Sequence, residues 1–170
     1  MTAAQLFEVL QNRFGTHVVY ELRFADQAQP QVLVQAESWV AVAHFLRDDD
    51  RCWFDQLSSL SGVDLPAENR MAVVIHLNSV LKNHFLTLRC EMPREAPELP
   101  SLSAVWRAAD WHEREAYDLL GIRFTGHPDL RRMLLPADWE GHPLRKDYQQ
   151  ADTYHNLPIP STELPNRIVK

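Results

Sequence analysis

Residues 71–92, MAVVIHLNSVLKNHFLTLRCEM, carry the clearest secondary-structure signal of the chain. Met71 to Leu77 is a nearly continuous apolar run rich in Val and Ile, which is typical of an interior β-strand. Asn78 to Asn83 has the composition of a turn, and the side chains of His84 to Met92 alternate in character, as they do in a strand. The stretch therefore predicts two paired strands in the middle of a sheet.

The sequence before this pair of strands predicts two helices and three further strands. Thr2 to Phe14 begins with a capping box and repeats apolar side chains every four residues, which predicts an amphipathic helix. Glu37 to Leu46 predicts a second helix on the same grounds. The order α-β-β-α-β-β-β predicts an α+β fold, in which a mostly antiparallel or mixed sheet carries helices on one face and an extended C-terminal segment follows. The three predicted strands are His17–Phe24, Gln31–Gln35 and Cys52–Leu60, the last followed by a turn at Ser61-Gly62.

The composition changes after residue 92, because nine of the 11 prolines lie from Pro93 onward. Residues 93–100 predict an extended connector, and Ser101 or Ser103 can cap a short helix through Trp106. A further helix over residues 111–120 is predicted to end at Gly121. We therefore divide the chain into an α+β domain, a connector with a charged motif packed on that domain, and an extended tail that is mobile in the isolated chain and ordered in a complex. These parts span residues 1–92, 93–148 and 149–170.

Charge and composition exclude several classes of function. With 45% hydrophobic residues and a net charge of -6, the 170-residue chain resembles a soluble globular protein and not a basic nucleic-acid binder. No window approaches the roughly 20 apolar residues of a membrane span, so contact with a membrane is expected to be indirect. Cys52 and Cys90 form no CxxC pair, and the five glycines form no nucleotide-binding loop. We therefore expect no metal, flavin or iron–sulfur cluster in this chain.

Residues 111–148, WHEREAYDLLGIRFTGHPDLRRMLLPADWEGHPLRKDY, mix aromatic and aliphatic anchors with many charged groups. Such a mixture is typical of a surface that another macromolecule covers. The stretch also carries an ordered series of short motifs. They are Glu113-Arg114-Glu115 with Tyr117-Asp118, Gly121-Ile122 with Phe124, Gly126-His127-Pro128 with Leu130-Arg131-Arg132, and Gly141-His142-Pro143-Leu144-Arg145-Lys146-Asp147-Tyr148.

This series resembles the 30 kDa subunit family, also called the C subunit, of the proton-pumping NADH:quinone oxidoreductase, respiratory complex I. The resemblance implies a non-catalytic subunit of the hydrophilic arm, on the cytoplasmic side of a bacterial inner membrane, packed against the subunit that forms the quinone site. It implies that FMN, the iron–sulfur clusters, NADH and quinone are bound by other subunits. The residues it implies as partner contacts are Arg114, Glu115, Asp118, His127, Arg131, Arg132, Arg145 and Lys146.

Two alternatives stay open at this point. Related subunits occur in membrane-bound hydrogenases and in quinone reductases with other electron donors, and the resemblance extends to them. A stand-alone acid/base enzyme that uses Glu115 and Asp118 belongs to a different class, which an activity of the purified chain would support. The competing interpretation of these carboxylates is a structural ion pair, since Arg114 and Asp118 are spaced i, i+4 on a helix.

Two further expectations concern single side chains of the motif. His127 and His142 each stand in Gly-His-Pro, which predicts a rigid turn with a locally hydrogen-bonded imidazole in preference to a metal ligand. Arg131 and Arg132 follow a segment stiffened by Pro128, so both guanidinium groups are expected to project from a held loop toward a partner. Replacing both arginines would then leave the isolated domain's stability nearly unchanged.

Overall fold

A computed structural model describes residues 1–25, 29–155 and 157–159. The predicted order of helices and strands in the N-terminal half is confirmed. Two single 3-10 turns, Ala36–Ser38 and Pro66–Glu68, stand before α2 and after β3. The elements are α1 (Ala3–Phe14), β1 (Val19–Arg23), β2 (Gln31–Val34), α2 (Trp39–Asp48), β3 (Gln56–Leu65), β4 (Arg70–Ser79), β5 (His84–Pro93), β6 (Glu98–Pro100), α3 (Ala109–Leu120), β7 (Arg123–Thr125), β8 (Thr153–Tyr154) and β9 (Leu157–Pro158).

The main sheet has five strands in the order β1-β2-β5-β4-β3. Only the β2–β5 pair is parallel, and the other three pairs are antiparallel. The predicted pairing of the two strands in residues 71–92 is confirmed, with Ile75 opposite Leu88 near the middle of the ladder. The sheet is therefore mixed, and β4 and β5 are interior strands. Two-stranded pairs form beside it, parallel for β6–β7 and antiparallel for β8–β9.

One hydrophobic core lies between the helices and one face of the sheet. Helices α1, α2 and α3 all contribute to it, for example through Leu10, Trp39 and Leu120 respectively. On β4 the contributors Met71, Val73, Ile75 and Leu77 alternate along the strand, which means that they share one face. The predicted α+β fold with helices on one side is confirmed, because burial of these apolar side chains drives helices and sheet together.

The turn predicted at Ser61-Gly62 is wrong, because both residues lie within strand β3. The strand continues through both residues to Leu65, and the chain turns afterwards at Pro66–Glu68. Glycine is needed at position 62 for close packing, since an added Cβ would lie 2.5 Å from Leu120 Cδ1 and 2.9 Å from Ile122 Cδ1. The start of the strand also moves, from the expected Cys52 to Gln56.

The short helix predicted after Ser101 or Ser103 is also wrong. The backbone forms turns there, in which the N–H groups of Val105 and Trp106 both donate to Leu102 O at 2.8 and 2.9 Å. The hydroxyl of Ser101 donates to the carboxylate of Glu113 at 2.6 Å, so it is occupied by a tertiary contact. The same oxygen accepts the N–H of Ser103, two residues on, at 3.1 Å, which closes a local turn where a helix cap was expected.

The beginning of the predicted tail forms the small β8–β9 hairpin. The hydroxyl of Tyr154 donates to Asp138 Oδ1 at 2.8 Å, and its ring lies 5.4 Å from the ring of Trp139. Predictions for the remainder of the tail concern residues 160–170, which lie outside the described residues. Across the described part of the chain, no helix is both long enough and apolar enough to cross a membrane.

Candidate functional site around helix α3

Helix α3 buries charged side chains as well as apolar ones. Gly121 ends the helix with φ of 76°, and its N–H donates to Tyr117 O at 2.9 Å. Ala116 and Leu120 lie in the core, as helical spacing predicts. Glu113 and Asp118 nevertheless have no solvent exposure at all. Buried charges of this kind require hydrogen-bonding partners, and the segment after α3 supplies those of Asp118.

Asp118 is held by four donors from residues 132–135. Its Oδ2 accepts the backbone N–H groups of Met133, Leu134 and Leu135 at 3.0, 2.7 and 2.9 Å. Its Oδ1 accepts Arg132 Nη1 at 2.8 Å. Burial alone would raise the pKa of Asp118, but the backbone N–H groups and the guanidinium outweigh it and lower that pKa. The carboxylate is therefore charged and fixes the loop to the helix.

The last carbonyl groups of α3 receive donors from the same C-terminal segment. Arg132 Nη1 and His142 Nδ1 donate to Asp118 O at 3.2 and 2.9 Å. Arg145 Nε donates to Leu120 O at 2.8 Å. These groups satisfy carbonyls that have no partner within a helix, and cations at this end interact favourably with the helix dipole. Burial lowers the pKa of His142, so its imidazole acts here as a neutral donor.

An ion-pair cluster attaches residues 141–148 to the end of β3. Arg94 binds both carboxylate oxygens of Asp64 at 2.6 and 2.9 Å, and both oxygens of Asp147 at 3.0 and 2.6 Å. The N–H of Lys146 donates to Asp64 Oδ2 at 2.8 Å. The guanidinium of Arg94 lowers the pKa of Asp64. Sequence reasoning missed this cluster, although a carboxylate between apolar residues of a strand is a usable signal.

Glu113 is the centre of a second buried group on helix α3. Its two oxygens accept Ser101 Oγ and the N–H of Leu102, both at 2.6 Å. Burial raises the pKa of Glu113 to about 7. The ring of His127, also fully buried, lies with Nε2 3.9 Å from Glu113 and hydrogen bonds to Asp110 O at 3.1 Å. Its Nδ1 accepts the N–H of Asp129, which identifies Nε2 as the protonated nitrogen.

The predicted contact residues divide into an internal and an exposed group. Asp118, His127, Arg132 and Arg145 are used in the internal contacts described above. Arg114 is buried and stacks on the ring of Trp111 at 5.0 Å. The exposed predicted residues are Glu115, Arg131 and Lys146. A contact with another chain remains a prediction for every member of both groups.

The expectation that both neighbouring arginines project from the loop is wrong for Arg132. Its side chain is only 18% exposed and is enclosed by Asp118 and by the carbonyls of Trp139 and Gly141. Arg131 does project, with 71% of its side chain exposed and an ion pair to Asp129 at 2.8 Å. Two adjacent and chemically identical side chains therefore lie in opposite environments.

The local hydrogen bond predicted for the Gly-His-Pro imidazoles is present for His127, whose Nδ1 accepts the N–H of Asp129. The prediction is wrong for His142, whose Nδ1 bonds to Asp118 O, 24 residues earlier in the chain. No group of three or more His, Cys, Asp or Glu side chains is arranged to hold a metal ion in residues 1–25, 29–155 and 157–159. The buried charged groups around α3 are instead bound by other groups of the same chain. The outer surface of this region carries the exposed Trp111, Leu134 and Leu144.

Comparison with known proteins identifies relatives of this chain. The family described as "Respiratory-chain NADH dehydrogenase, 30 Kd subunit" matches residues 32–154. The C subunit of the NADH-quinone oxidoreductase of Chlorobium phaeobacteroides is 39% identical over 160 residues, which cover 93% of this chain and 95% of that protein. The corresponding C subunit of Chloroherpeton thalassium is 46% identical over 125 residues, covering 73% of this chain and 52% of that protein.

Two solved structures are similar as well. "Nqo5 of the trypsin-resistant fragment (1-134) in P63 form" superposes with a TM-score of 0.62 at 28% identity, over 76% of this chain and all of that one. A chain of the archaeal membrane-bound sulfane sulfur reductase shares the fold, with a TM-score of 0.72 at 18% identity over 88% of this chain and 86% of that one. The match to the family model and the near full-length relative show that this chain belongs to the 30 kDa subunit family of respiratory NADH dehydrogenase, the family of the C subunit of complex I.

Proposed function

We propose that this chain is a structural, non-catalytic subunit of the hydrophilic arm of NADH:quinone oxidoreductase, and that it supports electron transfer to quinone by packing against the subunit that forms the quinone site. On this proposal FMN, the iron–sulfur clusters, NADH and quinone are bound by other subunits. The chain lies at the cytoplasmic side of the membrane and reaches the membrane only through its partners. Family membership over residues 32–154 is the observation that carries the proposal.

The side chains around α3 support an interface role. Trp111, Leu134 and Leu144 are 61%, 59% and 56% exposed, although each is large and apolar. The backbone of Leu134 is held by Asp118, and the N–H of Leu144 donates to Leu119 O at 3.0 Å, so little backbone freedom is lost when a partner covers these side chains. Exposed apolar groups beside charged ones are typical of protein interfaces.

The acid/base enzyme alternative is less well supported by the same geometry. A general base needs a free lone pair within reach of a substrate proton. The oxygens of Asp118 accept four hydrogen bonds from groups of its own chain. Glu115 is exposed, and within the described residues its carboxylate makes no hydrogen bond or ion pair that would orient it for proton transfer. We therefore prefer the structural role.

Purification of the tagged full chain from membranes of its own bacterium tests the proposal. We expect iron–sulfur and membrane subunits to co-purify and to be identified by mass spectrometry. Leu134→Lys should reduce their recovery and the quinone reductase activity of the membranes. The matched change Leu81→Lys, at a 74% exposed leucine of the β4–β5 turn, should leave both unchanged. Recovery of the chain without partners, or an activity of the chain alone, would refute the proposal.

A further inference from the structure

Strand β3 is an open edge of the main sheet. It stands last in the strand order and pairs only with β4. In the part of the chain that the structure describes, the backbone of Gln56–Leu65 makes no hydrogen bond outside the sheet ladder. After one irregularity between Leu57 and Ser59, the residues of β3 and β4 pair one to one up to the end of the strand. About half of the backbone N–H and C=O groups of this strand therefore point outward without a protein partner.

Beyond this irregularity, the edge lacks the charged and proline residues that normally prevent pairing with another strand. Its sequence, QLSSLSGVDL, contains no Lys, Arg or Pro, and its single charge is buried against Arg94. The opposite edge of the sheet is less open. Strand β1 has only five residues, and its Val19 O accepts Gln11 Nε2 at 2.9 Å.

A groove of about 310 Å³ runs between the β3 edge and helix α3. One wall is formed by Ser59 to Gly62, and the other carries the apolar Leu119 and Leu144. Glu115 stands on the same wall and has no hydrogen-bonding or ionic partner within residues 1–25, 29–155 and 157–159. A strand edge beside a helix is the arrangement in which an extended peptide adds to a sheet, since the edge supplies backbone bonds and the helix supplies side-chain pockets.

We propose that this groove binds an extended segment of a neighbouring subunit, which pairs with β3 as a sixth strand of the sheet. The segment has apolar residues that reach Leu119 and Leu144 and a Lys or Arg that meets Glu115. The inference rests on the proposed function, because the occupant belongs to the same complex. A second copy of this chain fits less well, since a paired β3 has no basic residue to offer Glu115.

Hydrogen exchange with mass spectrometry tests the proposal, comparing the full chain purified alone with the chain in the detergent-solubilised complex. We expect the peptide that covers residues 56–65 to exchange at least about tenfold more slowly in the complex. Glu115→Arg should lower recovery of the complex severalfold. The control Glu8→Arg makes the same charge change at an exposed position of α1 and should not. Both variants should keep the melting temperature of the isolated chain.

The outcomes separate this inference from the function on which it rests. Recovery of the complex with residues 56–65 exchanging as fast as in the isolated chain overturns the sixth strand and leaves the subunit role intact. Recovery of the chain without any partner overturns both. Protection of these residues in the isolated chain that grows with its concentration identifies a second copy as the occupant, which also overturns the proposal.

Discussion

Replacing Arg132 with alanine is expected to destabilise the isolated chain strongly, whereas the same change at Arg131 is not. Arg132→Ala removes the cation beside Asp118, which has no solvent exposure, and leaves the carbonyls of Trp139 and Gly141 without their donor. Loss of one partner of a buried ion pair costs about 3–5 kcal/mol. We take the lower end, about 3 kcal/mol, because three backbone N–H groups still hold Asp118 and the arginine is itself partly exposed.

That loss is a large share of the roughly 5–15 kcal/mol by which a domain of this kind is stable. For a chain of this length it corresponds to a fall in Tm of about 6–12 °C. Thermal unfolding followed by circular dichroism measures the effect on the full chain. Arg131→Ala is the matched control, because its side chain is 71% exposed and Asp129, with which it forms an ion pair, is also on the surface.

Arg132→Lys tests whether a positive charge alone is sufficient at this position. Lysine keeps the charge, but it cannot donate in a fork to Asp118 and to two carbonyls together. Its Tm should therefore lie between those of the alanine variant and the unchanged chain. Equal and small effects of Arg131→Ala and Arg132→Ala would refute the reasoning, since Arg132 would then be a surface group and not an internal brace.

Three further predictions follow from the described contacts. The pKa of Glu113 is raised from 4.5 to about 7, so the folded state binds the proton of this carboxyl more tightly than the unfolded state does. The stability gained from the bound proton is complete below about pH 4.5 and is lost as the pH rises through 7. Glu113→Gln should therefore flatten the profile of Tm against pH between these two values. Gly62→Ala should cost about 1–3 kcal/mol in urea unfolding, because the new Cβ meets Leu120 and Ile122, and an unchanged midpoint would disprove that close packing. The purified chain should be colourless, so a stoichiometric flavin or iron signal would contradict the expectation that other subunits bind the cofactors.

The secondary structure of the N-terminal half follows from patterns that are local in sequence. The apolar run of Met71 to Leu77 and the alternation of His84 to Met92 predict two strands because burial repeats every second residue. Gly15 and Gly121 mark helix ends, since glycine adopts the positive φ found there at little cost. The turn expected at Ser61-Gly62 failed because glycine there serves packing against α3, and a sequence alone does not distinguish that use from a turn.

Residues 111–148 show where local sequence patterns are no longer sufficient to predict the structure. The ordered motifs of residues 111–148 were enough to identify the family, which the comparisons confirm. They did not indicate that Glu113 and Asp118 lie inside the protein while Glu115, on the same helix, is exposed. A carboxylate is normally found at the surface, and only donors that arrive from distant parts of the chain make its burial favourable.

The sequence by itself therefore determined the order of the elements in the N-terminal half, the two-stranded centre of the sheet and the family, because periodicity, turn residues and motif spacing are properties of short stretches. Only the tertiary structure decided which charged side chains stabilise the fold from inside and which are exposed to a partner. Arg131 and Arg132 are adjacent and chemically identical, yet one is exposed and the other is bound to Asp118. That difference arises from contacts across 14 residues of chain, where burial and hydrogen bonding are set by packing and not by residue type.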